Sequence, residues 1–142
     1  MKANNVGRLL EDVLAAVFTG VGLEFQRQVV VGKNIYEYNL RVDFVVRNLQ
    51  QFPAGLIVES KWQDVLGSID EKFPYLKDNI YLQYPLPTIV VVHGGGCRAN
   101  AVNWLRAQCD GQHFIGVYGL EQFISWAIRA PKLTAMEGVL PL

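Results

Sequence analysis

Three ionisable side chains lie within two neighbouring hydrophobic segments of the sequence. Asp43 lies in residues 40–46 (LRVDFVV), and Glu59 and Lys61 lie in residues 56–61 (LIVESK). Both segments have the composition of short β-strands that bury at least one face, where an uncompensated charge is rare because its desolvation is costly. A bound cation commonly compensates clustered carboxylates, so the pattern indicates a metal site.

Two carboxylates and an amine beside a cation are suited to hydrolysing a phosphodiester. Asp43 and Glu59 supply hard oxygen ligands, the backbone carbonyl of Ser60 could be a third, and Mg²⁺ needs few protein ligands because it keeps most of its water. Such an ion polarises a phosphoryl oxygen and lowers the pKa of an attacking water. Lys61 would orient or deprotonate that water, or stabilise negative charge in the transition state. We expect Mg²⁺, with Mn²⁺ as a substitute.

The elements that must position these residues follow from hydrophobic periodicity and turn residues. Helices are predicted at residues 4–18, 67–83, 99–108 and 120–129, and strands at residues 23–31, 36–47, 56–62, 87–93 and 114–118. Ser68 and Glu71 form a capping-box pattern at the start of the second helix. The order α-β-β-β-α-β-α-β-α predicts an α/β fold of three layers, with a mixed sheet flanked by helices, in a single domain over residues 1–142.

Strand alternation predicts which charged residues share a face of the sheet. Glu59 and Lys61 are separated by one residue and should point the same way, whereas Asp43 should lie on the face opposite Val42 and Phe44. If the second and third strands pair, Asp43 comes alongside Glu59. The bland alternative is that Glu59 and Lys61 form a surface ion pair on an edge strand, which would contribute little to stability.

The overall composition favours a globular protein without a membrane segment. The 142 residues, 51% of them hydrophobic, are enough to bury a core without disulfides. The longest apolar stretch, residues 87–92, is too short to span a bilayer, and the N-terminus lacks a signal-peptide pattern, so we expect a cytoplasmic location. The 13 basic and 13 acidic residues argue against binding polyanions by bulk charge but allow a local basic face.

Asp43 followed by Glu59, Ser60 and Lys61 resembles the bipartite motif of the PD-(D/E)XK nuclease superfamily, which includes restriction endonucleases, archaeal Holliday-junction resolvases and repair nucleases. The family core of a helix, a three-strand meander, a helix and a strand is similar to the order predicted up to residue 93. The resemblance implies a restriction endonuclease-like fold and metal-dependent cleavage of DNA. It also implies that Asp43 and Glu59 bind the metal and that Lys61 is the catalytic lysine.

The same resemblance implies two further site residues. Glu11 matches a glutamate that often faces the site from the first helix, although it could equally be an exposed helix residue beside Asp12. Gln63 matches a polar residue often found two positions after the lysine. One position departs from the family pattern, since Val42 stands where many members have proline before the aspartate.

Alternative functions and partners also follow from the sequence. A non-catalytic nuclease-fold module, binding DNA or assembling with a partner that cuts, is favoured by the neutral charge and small size. A nucleotide-binding domain lacks support because no phosphate-binding loop of the Walker type is present.

Cutting both strands of DNA needs two sites or two visits, so we expect a homodimer, with residues 80–84 as its interface. Four hairpin residues are candidates for contacts with the DNA backbone: Lys33, Asn34, Tyr36 and Arg41.

Overall fold

The structure is a computed structural model that describes residues 2–63, 70–96 and 98–133, with side chains from residue 7 onward. The predicted order of elements is confirmed. The helices are α1 (Lys2–Gly20), α2 (Phe73–Leu82), α3 (Ala99–Ala107) and α4 (Leu120–Arg129). The strands are β1 (Phe25–Lys33), β2 (Asn39–Val46), β3 (Leu56–Trp62), β4 (Thr88–His93) and β5 (Phe114–Gly119). None of the helices in these ranges is long and apolar enough to cross a membrane.

The five strands form one mixed sheet in the order β1-β2-β3-β4-β5. The β1–β2 and β2–β3 pairs are antiparallel, whereas β3–β4 and β4–β5 are parallel. The parallel strands β3 and β4 are joined through α2, since parallel neighbours need a crossover connection. The continuously buried β4 (TIVVVH) lies inside the sheet, as expected for a strand covered on both faces.

Helices cover both faces of the sheet and give three layers, as predicted. One apolar cluster joins α1 and α4 to the sheet, and we call this side the α1 face. Its members include Leu10, Leu14, Phe18, Phe44, Val58, Val91 and Phe123. A second cluster joins α2 and α3 to the other side, which we call the α2 face. Its members include Leu40, Val42, Val45, Ile57, Phe73, Leu76, Ile80 and Leu105.

The tip of the first hairpin lies later in the chain than the sequence predicts. The turn falls at residues 34–38 instead of the gap between the two predicted strands, residues 32–35, because Asn34 organises it. The Oδ1 of Asn34 accepts hydrogen bonds from the backbone N–H groups of Tyr36 (2.8 Å) and Tyr38 (3.1 Å). Glu37 adopts a positive φ of 69° within this turn. The strands therefore begin and end two or three residues away from the predicted positions.

The start of α2 is described only from Asp70. A 3-10 turn, Asp70–Lys72, precedes Phe73, and Pro74 lies in the first turn of the helix, where its missing N–H has no intrahelical partner to lose. Ser68, the predicted N-cap, lies outside the described residues. Glu71, the second residue of the predicted capping box, lies in that 3-10 turn.

Gly94 is required at the end of β4. Its φ is +101°, and a Cβ there would lie 2.6 Å from Cδ1 of Trp62 and closer still to the backbone carbonyl oxygen of Gln63. Only glycine combines this backbone conformation with such a close approach. The packing of the loop after β4 against the end of β3 therefore depends on this residue.

Candidate active site

The site forms where the β2–β3 ladder stops. The paired residues end at Phe44 and Val58, and Asp43 and Glu59 are the next residue on each strand. The backbone N–H of Asp43 donates to Oε1 of Glu59 (2.8 Å), and the backbone N–H of Ser60 donates to Oδ2 of Asp43 (2.8 Å). The carboxylates thus satisfy backbone groups that the ladder no longer pairs, and each is fixed by the opposite strand.

Regular alternation fails at Asp43. Val42 belongs to the cluster of the α2 face and Phe44 to that of the α1 face, whereas adjacent-but-one residues of a regular strand share a face. The expectation that Asp43 lies opposite both was therefore wrong. The irregularity is shared by β1, where the pairing skips Gln28, a residue with a positive φ of 53°. Beside this gap in the pairing, the Asp43 carboxylate accepts a hydrogen bond from the backbone N–H of Ser60 on β3.

Glu59 is a buried carboxylate with few means of compensation. Its side chain is 4% exposed, and Oε2 accepts a hydrogen bond of 2.6 Å from the hydroxyl of Tyr84. Burial raises the pKa of Glu59; Lys61 opposes the shift, Asp43 adds to it, and the hydrogen bonds from Tyr84 and Asp43 oppose it. Burial, and next the charge of Glu59, also raises the pKa of Tyr84, so the hydroxyl remains a donor. The pocket favours a positive charge beside Glu59.

Gln28 links Glu11 to the site. The Nε2 of Gln28 donates to Oε1 of Glu11 (2.8 Å) and to Oδ1 of Asp43 (3.3 Å). Glu11 also lies 3.7 Å from the guanidinium of Arg27, which forms a shorter ion pair of 2.8 Å with Asp12. Gln28, which the sequence did not single out, therefore bridges Glu11 and Asp43, and the role of Glu11 in the site stays a prediction.

Lys61 faces the same cavity as Glu59, whereas Gln63 does not. The cavity, of about 300 Å³, is lined by both Glu59 and Lys61. Gln63 is buried at the end of β3, where its N–H donates to the carbonyl of His93 (3.0 Å) and its carbonyl accepts from Gly96 (2.7 Å). It is not among the described residues that line the cavity.

Two site residues were missed by sequence reasoning. Tyr84 follows α2 in a stretch that was interpreted as an interface, and its role depends on a hydrogen bond across 25 residues of chain. Gln28 is an exposed strand residue with no distinguishing neighbours in the sequence. Its positive φ gives no sequence signal either, since glycine or asparagine is the usual indicator of that conformation.

The residues present fit a hydrated divalent cation. Within residues 2–63, 70–96 and 98–133, no group of three or more His, Cys, Asp or Glu residues could hold a metal ion. The neighbouring carboxylates of Asp43 and Glu59 remain, and a carboxylate oxygen that accepts one hydrogen bond keeps a second lone pair. Mg²⁺ is commonly bound by one or two carboxylates together with water. The buried carboxylate of Glu59 beside the half-buried carboxylate of Asp43 is an environment that such an ion would stabilise.

Comparison with known families agrees with this geometry. A family model described as a PD-(D/E)XK nuclease superfamily domain matches residues 2–130. The matched range contains all the helices and strands given above, together with Asp43, Glu59 and Lys61. No match to the chain was found among curated proteins or among solved structures.

Proposed function

Because the chain belongs to the PD-(D/E)XK nuclease superfamily, which supports a nuclease-type function, we propose that the protein is a metal-dependent DNA endonuclease. The observation that carries this proposal is that Asp43 and Glu59 are linked by hydrogen bonds at the open end of the β2–β3 ladder, while Lys61 lines the same cavity as Glu59. A buried carboxylate next to a second one, with an ammonium in the same cavity, is the set of groups that phosphodiester hydrolysis needs.

The side chains have separate tasks in the proposed reaction. Asp43 and Glu59 would hold Mg²⁺ or Mn²⁺, with the backbone carbonyl of Ser60 as a third ligand. When bound, the ion supplies Lewis acidity towards a phosphoryl oxygen and lowers the pKa of a water. Ser60 fixes the rotamer of Asp43 through its N–H and its hydroxyl (3.1 Å), and Tyr84 fixes Glu59. These contacts keep the carboxylates positioned before substrate arrives.

Lys61 is proposed to act on the attacking water and on the charge that develops on the phosphate. Lys61 lines the same cavity as Glu59, and its charge opposes the upward shift of the pKa of that residue. From this position it would orient or deprotonate the water, or donate a hydrogen bond to the phosphoryl oxygens as negative charge accumulates. Glu11 is assigned a positioning role through Gln28, and Gln63 remains a candidate that supports the end of β3.

Cleavage of plasmid, single-stranded and branched DNA tests the proposal. Wild type should cleave at least one of them when Mg²⁺ or Mn²⁺ is added, and Lys61→Ala should lower the rate by about 10²–10⁴-fold. The matched control is Lys77→Ala, because Lys77 pairs with Asp78 (2.8 Å) on α2 and does not line the cavity. Equal background cleavage by wild type and Lys61→Ala on all three substrates would contradict the catalytic role.

Calorimetric titration separates the enzyme from a non-catalytic DNA-binding or assembly module. The wild-type chain should bind Mn²⁺, and Asp43→Asn should abolish that binding, because the amide supplies one weaker oxygen in place of a charged carboxylate. Glu24→Gln serves as the control, since Glu24 is an exposed residue before β1. Absence of carboxylate-dependent binding would favour the module.

A homodimer is proposed on functional grounds, since cutting two strands needs two sites or two visits. Within the interface predicted at residues 80–84, Ile80 and Tyr84 are not accessible to a second copy, because they are buried in the chain's own α2 face. Of the large apolar side chains in that stretch, Leu82 is the exposed one, at 69%. Light scattering that shows only monomer at high protein concentration would refute the dimer.

A further inference from the structure

The cavity beside Glu59 and Lys61 has an apolar floor that metal binding and proton transfer do not require. Leu40, Phe73 and Leu76 form this floor and belong to the core of the α2 face. The volume of about 300 Å³ lies at the lower end of the range of roughly 300–1,000 Å³ for small-molecule sites. A single heterocyclic base matches this size, whereas a double helix is far too wide to enter.

An aromatic pair stands at the edge of the cavity. Tyr75 lines the cavity, and its ring stacks on Tyr36 with a centroid distance of 5.6 Å and an interplanar angle of 14°. Tyr36 is nevertheless 64% exposed, so much of its surface is open to a further ring. Stacking of bases on exposed aromatic side chains is the usual way in which proteins hold unpaired nucleotides.

The tyrosine pair, Tyr36 and Tyr75, is held in place before any ligand binds. Asn34 donates to the hydroxyl of Tyr75 (2.8 Å) and accepts from the N–H of Tyr36 (2.8 Å). The N–H of Ile35 donates to Oδ1 of Asn79 on α2 (3.1 Å), which fixes the hairpin tip to the helix. Binding would therefore order few additional groups, which favours affinity.

More basic than acidic side chains line the cavity, where Glu59 is the acidic residue among those described, although the chain as a whole is neutral. Three cationic side chains line it: Arg41, Lys61 and Lys72. The ion pairs found within the described ranges involve other basic residues, namely Arg27, Lys77, Arg98 and His113. Arg41 donates to the backbone carbonyl of Gln28 (3.1 Å) and has no carboxylate within salt-bridge distance in that part of the chain. The cavity is thus complementary to an anionic ligand with a planar apolar part.

We propose that this cavity receives an unstacked base of the substrate strand adjacent to the scissile phosphate. The base would lie on the floor formed by Leu40, Phe73 and Leu76, against Tyr75, while Arg41 and Lys72 contact the flanking phosphates. This inference rests on the proposed nuclease function and narrows its substrate class to DNA with unpaired nucleotides. A paired base is stacked on both sides and hydrogen bonded at its edge, so its extrusion costs free energy that an unpaired base avoids.

Binding without cleavage tests the inference. The full chain is titrated in EDTA with oligonucleotides that carry 2-aminopurine in a single strand, in a one-base bulge or in a fully paired duplex. The single strand and the bulge should bind at least about ten-fold more tightly than the paired duplex, with a change in 2-aminopurine emission on stacking. The free 2-aminopurine nucleoside monophosphate should bind much more weakly than either, because it lacks the neighbouring phosphates.

Matched variants assign the effect to the tyrosine pair. Tyr36→Ala and Tyr75→Ala should each weaken binding of the bulged oligonucleotide by about 5- to 150-fold, the range expected for one stacked base. Tyr38→Ala is the control, since Tyr38 lies on the same hairpin, is 71% exposed and does not line the cavity. Circular dichroism checks folding, and Tyr36→Ala decides the outcome if Tyr75→Ala unfolds.

The cationic rim has its own measurement and control. Lys72→Gln should lower the dependence of log Kd on log salt by about one, whereas Lys77→Gln should leave the slope unchanged. Equal affinity for paired and bulged DNA would overturn the inference. So would equal affinity for the free nucleotide and the strand, or equal effects of the three tyrosine variants. Selective binding without any Mg²⁺-dependent cleavage would contradict the catalytic proposal and support this one, so the two failures are distinguishable.

Discussion

The α1 face and the α2 face of the sheet are both covered by helices, but they differ in how continuous their apolar packing is. On the α1 face, Phe18 contacts the rings of Phe25, Phe44 and Phe123 with centroid distances of 5.0–5.9 Å. On the α2 face, Glu59 and Asn79 are buried beside a cavity. The protein concentrates continuous packing on one side of the sheet and accepts buried polar groups on the other, where the candidate site lies.

A matched pair of leucines tests this difference and should give the largest effect. Leu14→Ala on the α1 face should lower the free energy of unfolding by about 3–5 kcal/mol, because Leu14 is fully buried and its loss leaves a cavity. Leu76→Ala on the α2 face should cost only about 1–2 kcal/mol, since Leu76 already borders an open cavity that water can fill. Urea unfolding of both variants measures the gap, and equal losses would show that the faces are equally packed.

Substitutions at Gly94 test the packing of the loop after β4 against the end of β3. Gly94→Ala should destabilise the fold by about 2–3 kcal/mol, because the added Cβ meets the backbone carbonyl of Gln63 and the Trp62 ring at a positive φ. Gly95→Ala is the neighbouring control, since a Cβ there has open space, and it should change stability by less than about 1 kcal/mol. Thermal unfolding compares the two, and similar melting temperatures would contradict the steric argument.

Glu59→Gln should stabilise the metal-free protein at pH 7 by about 1–2 kcal/mol while abolishing cleavage. Burial raises the pKa of Glu59 in the folded state, so the wild type loses stability as the pH rises from the ordinary carboxyl range towards the folded-state pKa. The difference in the free energy of unfolding between Glu59→Gln and wild type should accordingly be small near pH 4 and grow towards neutral pH.

Urea unfolding across that pH range measures the difference. Glu121→Gln, on an exposed position of α4, should show no such pH dependence. A Glu59→Gln variant that is less stable than wild type at pH 7 would mean that the α2 face compensates the carboxylate without a cation.

Tyr84→Phe gives the smallest expected effect, about 1 kcal/mol of destabilisation, because one hydrogen bond to Glu59 is lost. The same change removes a donor that lowers the pKa of Glu59, so metal binding should require a higher pH than in wild type. Calorimetric titration of Mn²⁺ at several pH values measures this shift. Tyr38→Phe, at an exposed position, is the control, and identical pH profiles would contradict the role of Tyr84.

Much of the fold could be predicted from the sequence, because the periodicity of apolar residues indicates each helix and strand. Lys61 and the two carboxylates could be predicted as candidate site residues for a related reason, since a charged residue is rare within an apolar strand. The break in alternation at Asp43 could not be predicted, because alternation is a rule for regular strands and the positive φ of Gln28, opposite Asp43, has no signal in the sequence. Tyr84 and the tyrosine pair depend on tertiary contacts between hairpin, β3 and α2, which local sequence does not encode.

Glu59 accepts a hydrogen bond from the N–H of Asp43, and Asp43 accepts one from the N–H of Ser60, which has a consequence for mutational analysis of the site. Each carboxylate caps the backbone beside the other, so truncating either one to alanine also removes a support of the neighbouring strand. Their free-energy effects should therefore be non-additive in a double-mutant cycle. Asparagine and glutamine keep an acceptor for those N–H groups while removing the charge. Asp43→Asn and Glu59→Gln should consequently give an inactive protein whose fold is intact, whereas alanine at either position should also disturb the strands.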